Sequence, residues 1–162
     1  MNLDALFEDL EAQAYFHQAA KPAIGANAAK SALVIRQSEH QASLVLSSPL
    51  LGNDFIAGFA ATSAPCWVVV PAQSFTRIEV LDEGNYLTGA ELSFVDLVER
   101  KLCAVTLKIQ TRLGDISPAQ VVSVSGSLVE VLSAGKISYL ASSAIEALVV
   151  ENLSNLEKLS AT

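Results

Sequence analysis

Positive charge is scarce in this 162-residue chain: ten Lys and Arg stand against seventeen Asp and Glu, a net charge of −7. Nucleic-acid binders draw most of their affinity from neutralising phosphates, so the deficit disfavours DNA or RNA as the main partner. The densest basic group, Arg100, Lys101, Lys108 and Arg112, reads as a solvated helix end and strand edge. Histidine is scarcer still, with only His17 and His40. Neither has a second ligand at metal spacing, so no metal site is expected. The two cysteines, Cys66 and Cys103, make no C-x-x-C pair and read as buried free thiols rather than a disulfide framework. There is no Walker loop, no G-x-G-x-x-G and no G-x-S-x-G elbow. Ser125-Gly126-Ser127 is accounted for by a β-turn, and Asp54 and Asp115 by turn chemistry. These absences leave no catalytic residue, cofactor or metal to expect, and the chain reads as a non-enzyme. No apolar run is long enough to cross a bilayer, and the first residues are acidic where a signal peptide is basic. A soluble, cytoplasmic protein without a membrane partner is therefore expected.

What is present is a large apolar fraction, 51% of residues, with only 6% aromatic. That is ample for a core built mostly from Ala, Val and Leu. Residues 2–21 predict an amphipathic helix. Leu3, Leu6, Phe7, Leu10 and Ala14 fall on one stripe, and Asp4, Glu8, Asp9 and Glu11 crowd the first turns, where the helix dipole favours anions. Asn2 is placed to cap it and Pro22 to stop it. Residues 31–41 fit either a short helix or a first strand. Strands are predicted over 42–47, 54–62, 66–70 and 76–81, with a single turn over 71–75 and Gly58 where a small barrel bends sharply. A helix over 89–102 follows, with Thr88 and Glu91 at capping-box spacing and Leu92, Val95, Val98 and Leu102 as its buried stripe. Strands are then predicted over 104–110, 116–124 and 128–132, a hairpin over 132–140, a single turn over 142–145 and a closing strand over 146–151. Ser154 and Glu157 open a possible short helix in the tail.

Residues 44–70 return faintly as 105–131, at a constant offset of 61. Leu44 and Leu46 fall on Val105 and Leu107, and Trp67-Val68 on Leu128-Val129. The match resumes at an offset of 70, where Phe75, Ile78 and Val80 fall on Ile145, Leu148 and Val150. A repeat decides architecture before local detail does. At the jump in offset, nine residues, 132–140, read as an insertion in the second copy. The expected fold is mainly β with helices (α+β): an N-terminal amphipathic helix and two tandem SH3-like or Sm-like small β-barrel units. The expected organisation is a helix over 1–22, a first unit over 31–82, a linker helix and second unit over 88–151, and a tail over 152–162. Units this small bury little alone, so they are expected to pack on each other.

The start of the chain, with Asp4, Leu6, Phe7, Asp9, Leu10, Glu11 and Gln13, resembles an uncharacterised actinobacterial family that opens D-x-L-F-x-D-L-E-x-Q. Gly58, Trp67 and Val70-Pro71 are similar to that family's first barrel-like half. Some members carry an automatic label of Fis-type transcription regulator, which implies a helix-turn-helix; no pair of short helices with a basic recognition helix is legible here. The resemblance implies a helix and two barrel-like halves, and no activity. The loops that would form an Sm-type RNA site, 62–65 and 125–127 and then 70–74 and 141–144, lack the cations and stacking groups such a site needs. The expected function is a non-catalytic protein-interaction module. It would bind another protein through Leu3, Asp4, Leu6, Phe7, Glu8, Leu10 and Glu11 of the acidic helix, or through a barrel edge. A nucleic-acid accessory role is the alternative, and self-association is left open.

Overall fold

The computed structural model describes residues 27–38, 41–60 and 65–152. The predicted N-terminal helix, with all seven proposed partner-binding residues, and the tail beyond Asn152 lie outside the described residues. Among the described residues eleven strands form one sheet. In chain order they are β1 (Ser31–Arg36), β2 (Leu44–Leu51), β3 (Phe55–Ala60), β4 (Cys66–Pro71), β5 (Phe75–Val80) and β6 (Thr88–Gly89). After these come β7 (Thr106–Thr111), β8 (Gly114–Ser125), β9 (Leu128–Ser133), β10 (Lys136–Ala141) and β11 (Ile145–Val150). The spatial order is β10-β9-β8-β7-β11-β4-β3-β2-β1-β5, antiparallel throughout, with β6 lying parallel to β2 off that path.

The order contains one arrangement twice. Strands β1 to β4 run as a meander, a 3₁₀ turn follows at Ala72–Ser74, and β5 returns to pair with β1. Strands β7 to β10 form the same meander, the 3₁₀ turn is Ser142–Ala144, and β11 returns to β7. The ambiguous segment at 31–41 thus contains the first strand. Only Ala32 and Val34 of β1 are fully buried, so its apolar pattern is too weak to separate strand from helix.

This arrangement corrects the offset of 61. That offset laid Trp67 of β4 on Leu128 of β9, whereas the counterpart of β4 is β10, at an offset of 70. Residues 132–140 are consequently no insertion; they hold the end of β9, a tight turn and most of β10. The error has a simple origin. Alternating Val and Leu look alike on any strand, so an offset slipped by one strand still matches. The hairpin reading of this segment agrees with the structure: Ala134 and Gly135 have φ of 51° and 75°, the two positive values of the tight turn that suits twisted strands.

The central helix is also shorter than expected. Thr88 and Gly89 are drawn into pairing with Leu50 and Leu51 of β2, so they do not cap a helix. Helix α1 spans Phe94–Leu97 and continues as a wider π turn over Val98–Leu102. Ser93 caps it, its hydroxyl accepting from the Asp96 N–H at 3.1 Å, and the Asp54 carboxylate accepts from the Phe94 N–H at 2.6 Å. Phe94, Leu97, Val98 and Leu102 enter a core that also holds Phe55, Trp67, Ile109 and Leu148. A second core is built on Val34, Leu46, Ile56, Val68 and Val149.

The chain joining the two five-strand halves is anchored by Asp82. Its carboxylate accepts from the Asn85 side chain and from the backbone N–H groups of Lys30, at 3.0 Å, and Ser31, at 3.3 Å. These donors, Asn85 foremost, hold the Asp82 carboxyl well below the usual carboxylate range, at about 2. A depressed folded-state pKa adds stability above the unfolded value and loses it as pH falls through the folded one. Wild type is therefore expected to exceed Asp82→Asn in urea midpoint at neutral pH, and the gap to close between about pH 4 and pH 2. A gap unchanged across that window removes the assigned role.

Candidate functional site

Where the two halves meet, β11 of the second pairs antiparallel with β4 of the first: Leu148 opposite Val69, Val149 opposite Val68, Val150 opposite Trp67. Both strands are continuously apolar except for Glu146, and all six residues of each are buried. Alternation sends Trp67, Val69, Leu148 and Val150 to one core and Val68 and Val149 to the other. The junction is therefore a continuous part of the fold.

Beside it lies a polar cleft of about 360 Å³, lined by Gln37, Gln73, Ser74, Arg112, Ile145 and Glu146 among others. The first 3₁₀ turn places Gln73 and Ser74 there. The Ser74 hydroxyl donates to the Glu146 carbonyl at 2.6 Å, and Gln73 Nε2 donates to the carbonyls of Ser142 and Ile145 at 3.2 and 3.4 Å. Arg36 reaches from β1 to Gln110 Oε1 at 3.1 Å and to the Glu146 carbonyl at 3.5 Å. Burial lowers the Arg36 pKa, opposed by the charges of Glu146 and Asp115; a guanidinium stays protonated regardless. Glu146 Oε1 lies 3.8 Å from the exposed Arg112, while Glu146 Oε2 and Arg36 Nε are buried without a hydrogen-bond partner. The cleft thus ties first-half turns to second-half strands. Ser74→Ala removes one tie and is expected to cost about 1–2 kcal/mol and lower Tm by about 2–6 °C. An unchanged thermal melt would show that the bond contributes nothing.

The residues singled out for chemistry do not converge. Among the described residues no group of three His, Cys, Asp or Glu is placed to hold a metal ion. His17 and His40 lie outside the described residues. Cys66 is buried on β4. Cys103 is half-buried, and burial, then the Glu99 carboxylate, pushes its thiol pKa up, the opposite of what a nucleophile needs. Asp54 and Asp115 occupy different places: Asp54 in the β2–β3 turn, holding α1, and Asp115 inside β8 opposite Gln110. Turn chemistry therefore accounts for Asp54 and not for Asp115, which sits in a paired strand. Counted from β1, the turn after the second strand is 52–54, and its acid is committed to the helix. Of the four grouped cations, Lys108 holds Glu151 at 3.0 Å and Arg112 faces Glu146, so two are already neutralised. The hydrogen bond to Glu151, with its charge, raises the Lys108 pKa.

The sheet's two ends contrast with the junction. Among the described residues β10 pairs only with β9, and β5 only with β1. Five of the six residues of β10, KISYLA, are exposed, whereas its counterpart β4 is wholly buried. Ile137 and Tyr139, on one face of β10, are 48% and 65% exposed. Natural edges are blunted by Lys, Pro or bulges; β10 carries one Lys, at its first position, and an unbroken register with β9. The residues alone do not single out this edge, because 132–140 read there as an insertion. The available signal was the matching 3₁₀ turns, which align β10 with β4. No helix among the described residues is long and apolar enough to cross a membrane. No protein-family model, curated protein or solved structure matches this chain.

Proposed function

We propose that the protein is a non-enzymatic interaction module, two small SH3-like barrel units in tandem, that takes a strand of another protein molecule onto the open edge of β10. The observation that carries this reading is the six-residue β10 strand, flat in register, exposed and apolar on one face at Ile137 and Tyr139. Such an edge offers a row of backbone donors and acceptors to an incoming strand, and the alternating side chains add specificity. The barrel reading draws on the bent second strands. β2 and β8 each contain a proline, Pro49 and Pro118, near a break in register with a neighbouring strand. The acidic helix proposed over 1–22 would be a second contact on the same chain. The net charge of −7 and the cations already paired with Glu151 and Glu146 weigh against the nucleic-acid alternative.

A photo-crosslinking residue in place of Tyr139, in the cell that makes the protein, tests the reading. Protein adducts are expected at Tyr139 and not at Leu113, which is fully exposed in the β7–β8 turn. Adding Ile137→Lys is expected to remove them. Adduct yields at Tyr139 no higher than at Leu113 would sink the proposal.

A further inference from the structure

The two halves stand head to tail: each reads fourth, third, second, first, fifth strand across the sheet, and the fifth strand of one meets the fourth of the other. That junction uses β11 and β4. Their counterparts, β5 and β10, are the two strands left at the ends among the described residues. A head-to-tail contact whose donor and acceptor both remain free at the ends can be repeated by another copy. Resting on the edge reading above, we propose that the strand β10 accepts is β5 of a second copy of this chain.

The internal junction supplies the register. Both β5 to β11 and β4 to β10 correspond at an offset of 70, so the pairs Leu148–Val69, Val149–Val68 and Val150–Trp67 translate directly. In one copy Ile78, Glu79 and Val80 would lie opposite Tyr139, Ser138 and Ile137 of the next. The chemistry of the transferred pairs is consistent. Ile78 and Val80 meet Tyr139 and Ile137, apolar with apolar, on one face, and Glu79 meets the neutral Ser138 on the other. The burial pattern points the same way. In β11, which pairs with β4 through Leu148, Val149 and Val150, every residue is buried, whereas in β5 none is; Ile78, Glu79 and Val80 are all half-buried. Each end of the sheet thus displays half of an interface that the molecule already builds once inside itself. Both edges are six residues long, as the strands of the junction are. The assembly closes as a ring if the rotation per copy allows it and otherwise extends as a fibre.

Sedimentation velocity of the full chain, from roughly 1 to roughly 100 µM, tests the proposal. The mean mass is expected to rise above that of one chain as concentration increases. Glu79 and Ser138 are not buried, so both can be changed without opening a core. Ser138→Glu places like charges opposite each other and is expected to weaken association about fivefold; adding Glu79→Lys is expected to restore it. As a second measurement, one preparation carrying Glu79→Cys is mixed with another carrying Ser138→Cys and treated with a short thiol crosslinker. The joined product is expected only in the mixture. A single-chain mass at every concentration overturns the proposal, as does an assembly indifferent to the Ser138 and Glu79 changes, or a mixture that yields no joined product. A single-chain mass together with Tyr139 adducts to other proteins would retain the edge reading and remove the second copy. No adducts in either setting would remove both.

Discussion

Trp67→Ala is expected to lower the free energy of unfolding by about 3–5 kcal/mol, the largest loss of any single change considered. Trp67 is 1% exposed and lies on β4, opposite Val150 of β11. Its side chain belongs to the core that holds α1 and the strands of the second half, while its backbone belongs to the first half's meander. Truncation therefore opens a cavity on the shared strand pair. Close packing on both sides limits collapse, and limited collapse is what places a truncation at the upper end of the range. Urea unfolding followed by far-UV circular dichroism measures the effect, since the change removes the chain's one tryptophan. A loss under about 1 kcal/mol would mean that the junction does not depend on this side chain.

Gly58→Val is expected to cost about 2–3 kcal/mol, for a reason unrelated to backbone flexibility. A Cβ at this position would lie 2.9 Å from the Ser47 carbonyl oxygen and 3.0 Å from Leu46 Cβ. Both neighbours belong to β2, where the pairing with β3 breaks register between Ser47 and Leu50 and Ser48 has a positive φ of 49°. The irregular stretch of β2 presses its backbone onto β3 at Gly58, and only a residue without a side chain leaves room. Backbone cannot swing aside as the end of a long side chain can, so β2 and β3 must separate, and both feed buried residues into the cores. Gly84 is the control. Its φ is +81° and nothing lies within 4 Å of a built Cβ, so Gly84→Ala is expected to cost only the conformational term, about 1 kcal/mol. Equal losses at the two sites would refute the close-approach explanation.

Much of this was legible in the residues. The continuous apolar run of β4, the single turns before β5 and β11, and the tight turn at Ala134-Gly135 all stand within a residue or two of where the pattern placed them. Gly58 stands out in the residues as a bend position; what the structure shows there is the close approach of β2 at its register break between Ser47 and Leu50. The central helix was misread at its start because T-x-x-E spacing is a local signal, and pairing with β2 outweighed it. Ser93, the residue that does cap the helix, carries an equally ordinary local signature. The residues do not show the cleft groups as one site. Arg36, Ser74 and Glu146 are far apart in sequence, and only the meeting of β11 with β4 and the neighbouring turns brings them together.

Local chemistry decided where strands and turns lie, because side-chain alternation and the φ demands of Gly and Pro act over a few residues. It decided also that no familiar catalytic motif is spelled out, since those motifs are short patterns of residue types. Tertiary structure alone decided the strand neighbours. One arrangement of five strands occurs twice, offset differently from the echo that the residues suggested, and one fourth strand is covered while the other is bare. Pairing between strands about 80 residues apart depends on which edges remain free after each meander has formed, and alternating Val and Leu carry no record of that choice.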